Sequence, residues 1–566
     1  MSLFDKASLV ITPNAVKEGK LYSVIPSDGS GDLDVVRATT ATRVNSEGLI
    51  EVVPRNLVTY SEQFDNASWT KLNSTISANA IIAPNGTTTA DKLVENSSDA
   101  NHLVQKAITA SDSVYTFSIY AKKGERNWLV LRSVNASLQN VKAWFNIDAG
   151  TVGTLENGAT ATITDVGNGW YKCSITCPSF SSGFEFRAST STGNNVDSYT
   201  GDGTSGLYIW GAQLESNSVA TSYFPTTDRL NIPRLDYSNG SCPSILLEPQ
   251  RTNLALRSEE FDDVYWGKTA GTTVTANTTI SPNGTSTADT VAFASSADSI
   301  NKFISTGVSV VNGTSYTFSL YTKTPTQIIY FGGATGGSGT NVFNGSIDVG
   351  NGWYRQSITR TWSASGTVNI QNIILLGASG SVFIWGAQLE AGSYATSYIP
   401  TVASAVTRNV DVISKTGISD LINSEEGCFY SELKPLIPVT ALSCGYSLSN
   451  GTNSELIFMT FTPTTNRLTL SVVNSNGANF NANIEGVDFL MYNKIAINWK
   501  QSELKVFINS FLVYSNLSFN TFTENSLSEL KLARGDNQRK LEGNVKSVLV
   551  FPTALTNTEL AQLTTI

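Results

Sequence analysis

The chain has 566 residues, too many for a single hydrophobic core and enough for three or four. Only 15% of the residues are charged, the net charge is −9 and there is one histidine, so no basic footprint for nucleic acid exists. No apolar run is long enough to insert in a membrane, and the opening MSLFDKASLV lacks the charged-then-apolar order of an export signal.

Ser, Thr, Asn and Gly fill the place of the missing charges, a mixture that suits short strands and turns better than helices. Residues 1–55 stand apart. KEGKLYSVIP, containing Lys17, Lys20 and Tyr22, reads as a strand running into the turn DGSGD, and VVRA (with Arg37) and LIEVV are further short strands beyond it. The segment, which also carries Arg43, is too small for a core of its own and needs a partner chain or neighbouring domain to cover its apolar faces.

A repeat opens at Asn56 with NLVTYSEQFDNASWTK and returns at Asn253 as NLALRSEEFDDVYWGK. The match continues through APNGTTTADKL and SPNGTSTADTV, VYTFSIYAK and SYTFSLYTK, DVGNGWYKCSIT and DVGNGWYRQSIT. It closes on LYIWGAQLE…ATSY and VFIWGAQLE…ATSY, while the loops between YTFS and GNGWY differ in length. Within each copy apolar residues alternate with period two. Tyr115, Phe117, Ile119 and Ala121 face one way, and Leu207, Ile209 and Gly211 oppose Tyr208 and Trp210. This pattern predicts an all-β chain of antiparallel jelly-roll sandwiches at 56–228 and 253–402, joined by a proline-containing connector at 229–252 that echoes Arg43–Arg55. The block 403–566 predicts a third sandwich, with a hairpin turn at Lys500-Gln501-Ser502 and a capping box Thr556–Glu559 opening a short helix. The five cysteines (Cys173, Cys177, Cys242, Cys428, Cys444) read as reduced thiols, since Cys173 and Cys177 lie too far apart along one strand to bridge.

RLDYSNGSCPSILLEPQRTNL followed by SEEFD, NGTSTAD, GNGWY and IWGAQLE resembles modules of bacteriophage head-fibre and tail-fibre proteins, as does VTRNVDVISKTGISDLI. KIAINWKQSELKVFINSFLV and KSVLVFPTALTNTELAQL resemble concanavalin-like, laminin-G-type lectin domains. The resemblance implies a homotrimeric, non-enzymatic fibre on the virion surface, made in the host cytoplasm, that binds host-surface glycans through weak multivalent contacts. It also implies docking to capsid or tail proteins through residues 1–55, with Lys17, Lys20, Tyr22, Arg37 and Arg43 in the attachment segment. A polysaccharide depolymerase or free lectin, and a purely architectural decoration, are the alternatives.

No cofactor or metal is expected. His102 is the sole imidazole, so no Ser-His-Asp or Cys-His arrangement can be completed. The carboxylate pairs Glu259-Glu260 and Asp262-Asp263 fall in the repeated framework, as do Glu62 and Asp65, and read as structural rather than as a glycosidase pair. Asp197 and Asp202 could ligate calcium but read better as turn residues. Tryptophans shared by both copies (Trp69/Trp266, Trp170/Trp353, Trp210/Trp385) read as core. Trp128, Trp144 and Trp362 belong to one copy each and are the expected carbohydrate-stacking surface.

Overall fold

A computed structural model describes residues 3–17, 20–37, 39–53, 56–108, 113–135, 140–180, 184–215, 219–221, 223–226, 233–295, 299–301, 308–329, 341–368, 371–374, 380–436, 444–462, 466–477 and 479–566. The chain is all-β, with one α-helix at Asn557–Leu563 among the described residues. That helix starts on the expected capping box: Thr556 accepts from the Glu559 amide and Glu559 from the Thr556 amide. Two compact units result, Pro54–Asn231 on one side and Met1–Val53 with Ile232–Ile566 on the other.

The unit Pro54–Asn231 is the first repeat. Two six-stranded antiparallel sheets enclose one core, in which Phe117, Ile119, Cys173, Ile209 and Leu214 of one sheet meet Leu129, Leu131, Phe145 and Phe186 of the other. Alternation holds along Ser113–Lys122 but breaks in Gly206–Glu215. Gly211 has φ +62°, the register against Ser113–Lys122 slips there, and Ala212 and Leu214 join Leu207 and Ile209 in the core. A Cβ at Gly211 would stand 3.1 Å from the Tyr120 ring, so this bulge needs glycine. The strict period-two reading of this strand is corrected at that residue.

In the other unit the second repeat keeps its six-stranded sheet (Thr272–Thr279, Ala288–Phe293, Gly380–Ala391, Ser315–Thr322, Trp353–Thr361, Asn341–Gly350) over a core containing Trp266, Phe318, Ile384 and Leu389. The last block folds around a separate core to which Ile457, Leu470, Ile495, Val506 and Val548 contribute. Asn493–Lys500 and Glu503–Ile508 form the expected hairpin, with Ser502 at φ +63° in its turn.

Residues 1–55 are not a separate segment. Strand Leu9–Lys17 lies between Lys20–Ile25 and Gly543–Phe551, and Leu33–Val36 pairs with Val412–Lys415. Leu9 and Ile11 enter the large core of the last block, while Val10 faces a smaller one with Leu549, Phe551 and Leu560 of the terminal helix. A strand buried on both faces must be apolar at successive positions, as Leu9, Val10 and Ile11 are. Of the expected attachment residues, Lys20 pairs with Asp34 at 2.6 Å, Arg43 with Glu51 at 2.7 Å, and Tyr22 is half-buried. Lys17 continues the Leu9–Lys17 strand opposite Lys20, and its side chain lies outside the described residues.

Arg37 is internal, 2% exposed, and belongs to a buried charge cluster. Its Nη1 lies 2.8 Å from Asp411, and Arg234 bridges Asp411 to Glu248, the latter at 2.7 Å. Arg408 reaches the same Glu248 at 2.9 Å, and the Ser397 amide and hydroxyl both donate to it. Burial alone would raise Glu248, but Arg408 and Arg234 hold its carboxyl well below the usual range; Asp411 is held down likewise by Arg234 and Arg37.

Leu9→Ala should therefore cost ~2–5 kcal/mol in chemical denaturation. Deleting residues 1–53 should abolish the calorimetric transition of the last block and leave that of Pro54–Asn231; a last block that still melts cooperatively would contradict the pairing.

Candidate functional site

The first repeat carries a polar face on the outside of the sheet formed by Thr70–Leu72, Leu103–Ile108, Phe184–Ser191, Trp128–Asn135, Asn140–Asn146 and Thr151–Glu156. With Leu129, Leu131, Ala143, Phe145, Phe186 and Ala188 committed to the core, the pleat turns Trp128, Arg132, Lys142, Trp144, Arg187 and Ser189 outward. The register places Gln105 opposite Arg187, Arg187 opposite Arg132, Arg132 opposite Lys142 and Lys142 opposite Glu156. Three cations thus stand side by side in one transverse row.

Carboxylates interleave them. Asp197 accepts from Arg132 at 2.7 Å and from Lys142 at 2.5 Å, Glu156 takes Lys142 at 3.0 Å, and Glu185 takes Arg187 at 2.7 Å. Burial pulls the Arg132 guanidinium down and the Asp197 charge works against that shift. Among the described residues, the buried polar atoms without a hydrogen-bond partner on this face include Arg132 Nε, Gln105 Oε1 and Ser189 Oγ. Unpartnered buried groups of this kind cost free energy that a ligand hydroxyl or water recovers.

The expected stacking tryptophans separate here. Trp128 is half-buried on this face, its ring edge against Gly153, where a Cβ would come within 2.9 Å of Cζ3. Trp144, its diagonal neighbour, is fully buried: the segment after Ser191 folds over it, and its indole N–H donates to the Val196 carbonyl at 3.2 Å. Ser191 Oγ donates to the Gly193 and Val196 carbonyls, and Asn194 clasps Thr154, so the cover is tied down at several points. Trp362 is 1% exposed and packs in the core of the second repeat, with Arg360 4.3 Å from its ring. The surface expectation for Trp144 and Trp362 is corrected accordingly: a residue private to one copy can fill that copy's own interior. The counterpart stretch of the second repeat, 330–340, lies outside the described residues.

Arg132, Lys142, Arg187 and Asp197 were not singled out as a group from the sequence. The available signal was parity, because Trp128/Arg132 and Lys142/Trp144 hold matching positions on neighbouring strands.

Other candidates resolve structurally. His102 is buried, with its ring nitrogens 2.7 and 3.1 Å from the Asn73 and Tyr199 carbonyls. Asp202 caps its turn through the Thr204 and Ser205 amides. Asp197 spends its oxygens on Arg132 and Lys142. No group of three or more side chains suited to a metal occurs among the described residues. A pocket of about 270 Å³ is lined by Glu62, Gln63, Asp65, Asn66, Asn79, Thr89 and Asp91. Asp91 accepts the Phe64 and Asn79 amides, and Asp289 repeats this with Phe261 and Asn277, so these carboxylates tie loops to strands.

No family model matches the chain, and no curated protein does. Among solved structures it is similar to the CBM40 module of the Ruminococcus gnavus IT-sialidase bound to α2,3-sialyllactose (16% identity, 25% of this chain and 83% of that one, TM-score 0.22). It is also similar to the NanB sialidase of Streptococcus pneumoniae (14%, 26% of each chain, TM-score 0.22). A third is domain 4 of AbnA, an extracellular arabinanase of Geobacillus stearothermophilus, in complex with arabinotriose (13%, 30% and 82%, TM-score 0.22).

Burial pushes the Asp91 carboxyl up to about 6 from its ordinary 3.8. Since the folded value exceeds the unfolded one, this group disfavours the fold progressively as pH rises from about 4 to 6, and no further above that. Carboxyl NMR of the folded protein should place Asp91 near 6; a midpoint below 4 would show that the two amides outweigh burial.

Proposed function

We propose that the protein is a non-enzymatic glycan-binding fibre of a bacteriophage particle, and that the outer face of the first repeat contacts the sugar. The observation that carries the glycan reading is the half-buried set Arg187, Gln105 and Trp128, at the accessible edge of a row whose other cations, Arg132 and Lys142, are buried. Planar guanidinium and carboxylate groups address sugar hydroxyls, and an aromatic ring takes the C–H face. Such a site is shallow, so useful affinity comes from several chains acting together, which a trimer on one particle supplies.

The non-enzymatic part is supported by where the titratable groups are spent. His102 is held by backbone carbonyls, Glu62 and Glu259 each lie near a tyrosine hydroxyl, and Asp91 and Asp289 hold amides. The fibre reading rests on the head-fibre and tail-fibre motifs of the connector and repeats. Docking to capsid or tail proteins through residues 1–55 belongs to the same proposal, on residues other than Arg37 and Leu9–Ile11, which are internal.

Titrating the chain with host envelope polysaccharide should give saturable binding without release of reducing ends. Trp128→Ala and Arg187→Ala should each weaken binding roughly tenfold, about 1.4 kcal/mol, with unchanged melting. Equal binding by both variants would remove this face from consideration. Light scattering should report a trimer, and antibody labelling of particles in the electron microscope should decorate fibres; a virion that lacks the protein would exclude the fibre assignment.

A further inference from the structure

Both repeats build the same aromatic cluster on the outer face of the sheet that holds IWGAQLE. In the first, Tyr120, Trp210 and Tyr223 lie with ring centroids 5.2, 4.7 and 5.9 Å apart; in the second, Tyr321, Trp385 and Tyr398 lie 5.4, 4.6 and 6.1 Å apart. Trp170 donates to the Ile82 carbonyl and Trp353 to that of Ile280. The tyrosine hydroxyls also match, Tyr223 on Ser61 and Glu62, Tyr398 on Ser258 and Glu259.

The copies differ in what lies above the cluster. Over the second repeat sits the hairpin Thr42–Val44/Ile50–Val52. Ile50 packs on the aromatic cluster and its N–H donates to the Pro282 carbonyl at 2.9 Å. Thr42 Oγ1 donates to the Tyr398 carbonyl at 2.5 Å, and Leu49 fills the space over Gly284, 3.0 Å from where a Cβ would be. Tyr321 and Tyr398 are consequently 3% and 2% exposed.

Over the first repeat, among the described residues, the cluster has only members from its own fold. Tyr120, Tyr223 and Pro84 are half-buried where Tyr321, Tyr398 and Pro282 are buried, and the space over Gly86 is open. No described residue donates to the Pro84 or Tyr223 carbonyl.

The connectors explain the asymmetry. The hairpin before the first repeat covers the second, and the hairpin before the second, Leu235–Asp236/Ser244–Leu247, pairs with Gly543–Phe551 of the last block. Each connector serves the module after next, which leaves the first repeat unserved by either described connector. We infer that the open face of the first repeat, around Pro84, Gly86, Tyr120 and Tyr223, docks a β-hairpin of a partner protein.

The covered copy states the chemistry of that hairpin. It presents an aliphatic side chain at the place of Ile50, a second one at its turn, and a free backbone N–H for the Pro84 carbonyl. Both described hairpins, Thr42–Val44/Ile50–Val52 and Leu235–Asp236/Ser244–Leu247, are already engaged, so the occupant inferred is a hairpin of a partner protein. A sugar is the poorer occupant, because the Tyr223 hydroxyl points inward to Ser61 and Glu62, and Lys172 is bound to the Thr221 carbonyl.

The probe is a cyclised peptide of residues 41–53, titrated calorimetrically into the full chain. One site per chain is expected, weakened at least tenfold by Tyr120→Ala and untouched by Trp128→Ala, which separates this face from the glycan face. In the Leu49→Ser/Ile50→Ser double variant, whose own hairpin is weakened, two sites are expected. Binding to the double variant but not to the natural chain would overturn the inference. So would absence of binding to both at millimolar peptide, or shifts of the Tyr120 and Tyr223 ring signals on adding host polysaccharide instead of peptide.

Discussion

The unit formed by residues 1–53 and 232–566 depends on a buried charge cluster. Arg37, Arg234 and Arg408 surround Glu248 and Asp411, and these five come from an N-terminal loop, a connector and the start of the last block, with Ser397 of the second repeat closing the set. Desolvating one such ion costs several kcal/mol unless its partners arrive with it. The cluster is therefore all-or-none: no piece can be buried correctly while another is missing. That makes one cooperative body from four stretches of chain that the sequence reading kept separate.

Within the repeats, shared and private residues divide by face. The shared motifs build the core and the aromatic cluster outside the IWGAQLE sheet, where Gly211 and Gly386 bulge the strand at φ +62° and +65°. The opposite sheet of the first repeat carries the private row Arg187–Arg132–Lys142 and its covering segment. A duplicated fold can vary there freely, because neither the core nor the bulge depends on which polar residues the outer pleat presents.

Much of this was readable from residues alone. Period-two alternation in VYTFSIYAK located a strand and its inward face, the capping box located the helix, and the repeated blocks located two similar sandwiches. What failed were inferences about exposure. Trp144 is hidden by a segment whose Val196 lies 52 positions away, and Trp362 turns into the core one residue after its strand ends, neither of which periodicity records. Arg37 reads as a surface cation because its partner Asp411 is 374 positions away. The bulge at Gly211 hid in a strand that looked regular, since glycine fits an alternating pattern on either face.

The order in which the chain is made now matters. Ser8 donates to the Val550 carbonyl, 542 residues later, so this stretch completes its pairing only after that much more chain has been made. At about 5–20 residues per second the interval is roughly half a minute to two minutes. During it, Leu9, Val10 and Ile11 have only their Lys20–Ile25 neighbour and leave one apolar strand edge open, on a nascent chain whose first repeat, Pro54–Asn231, can already be complete.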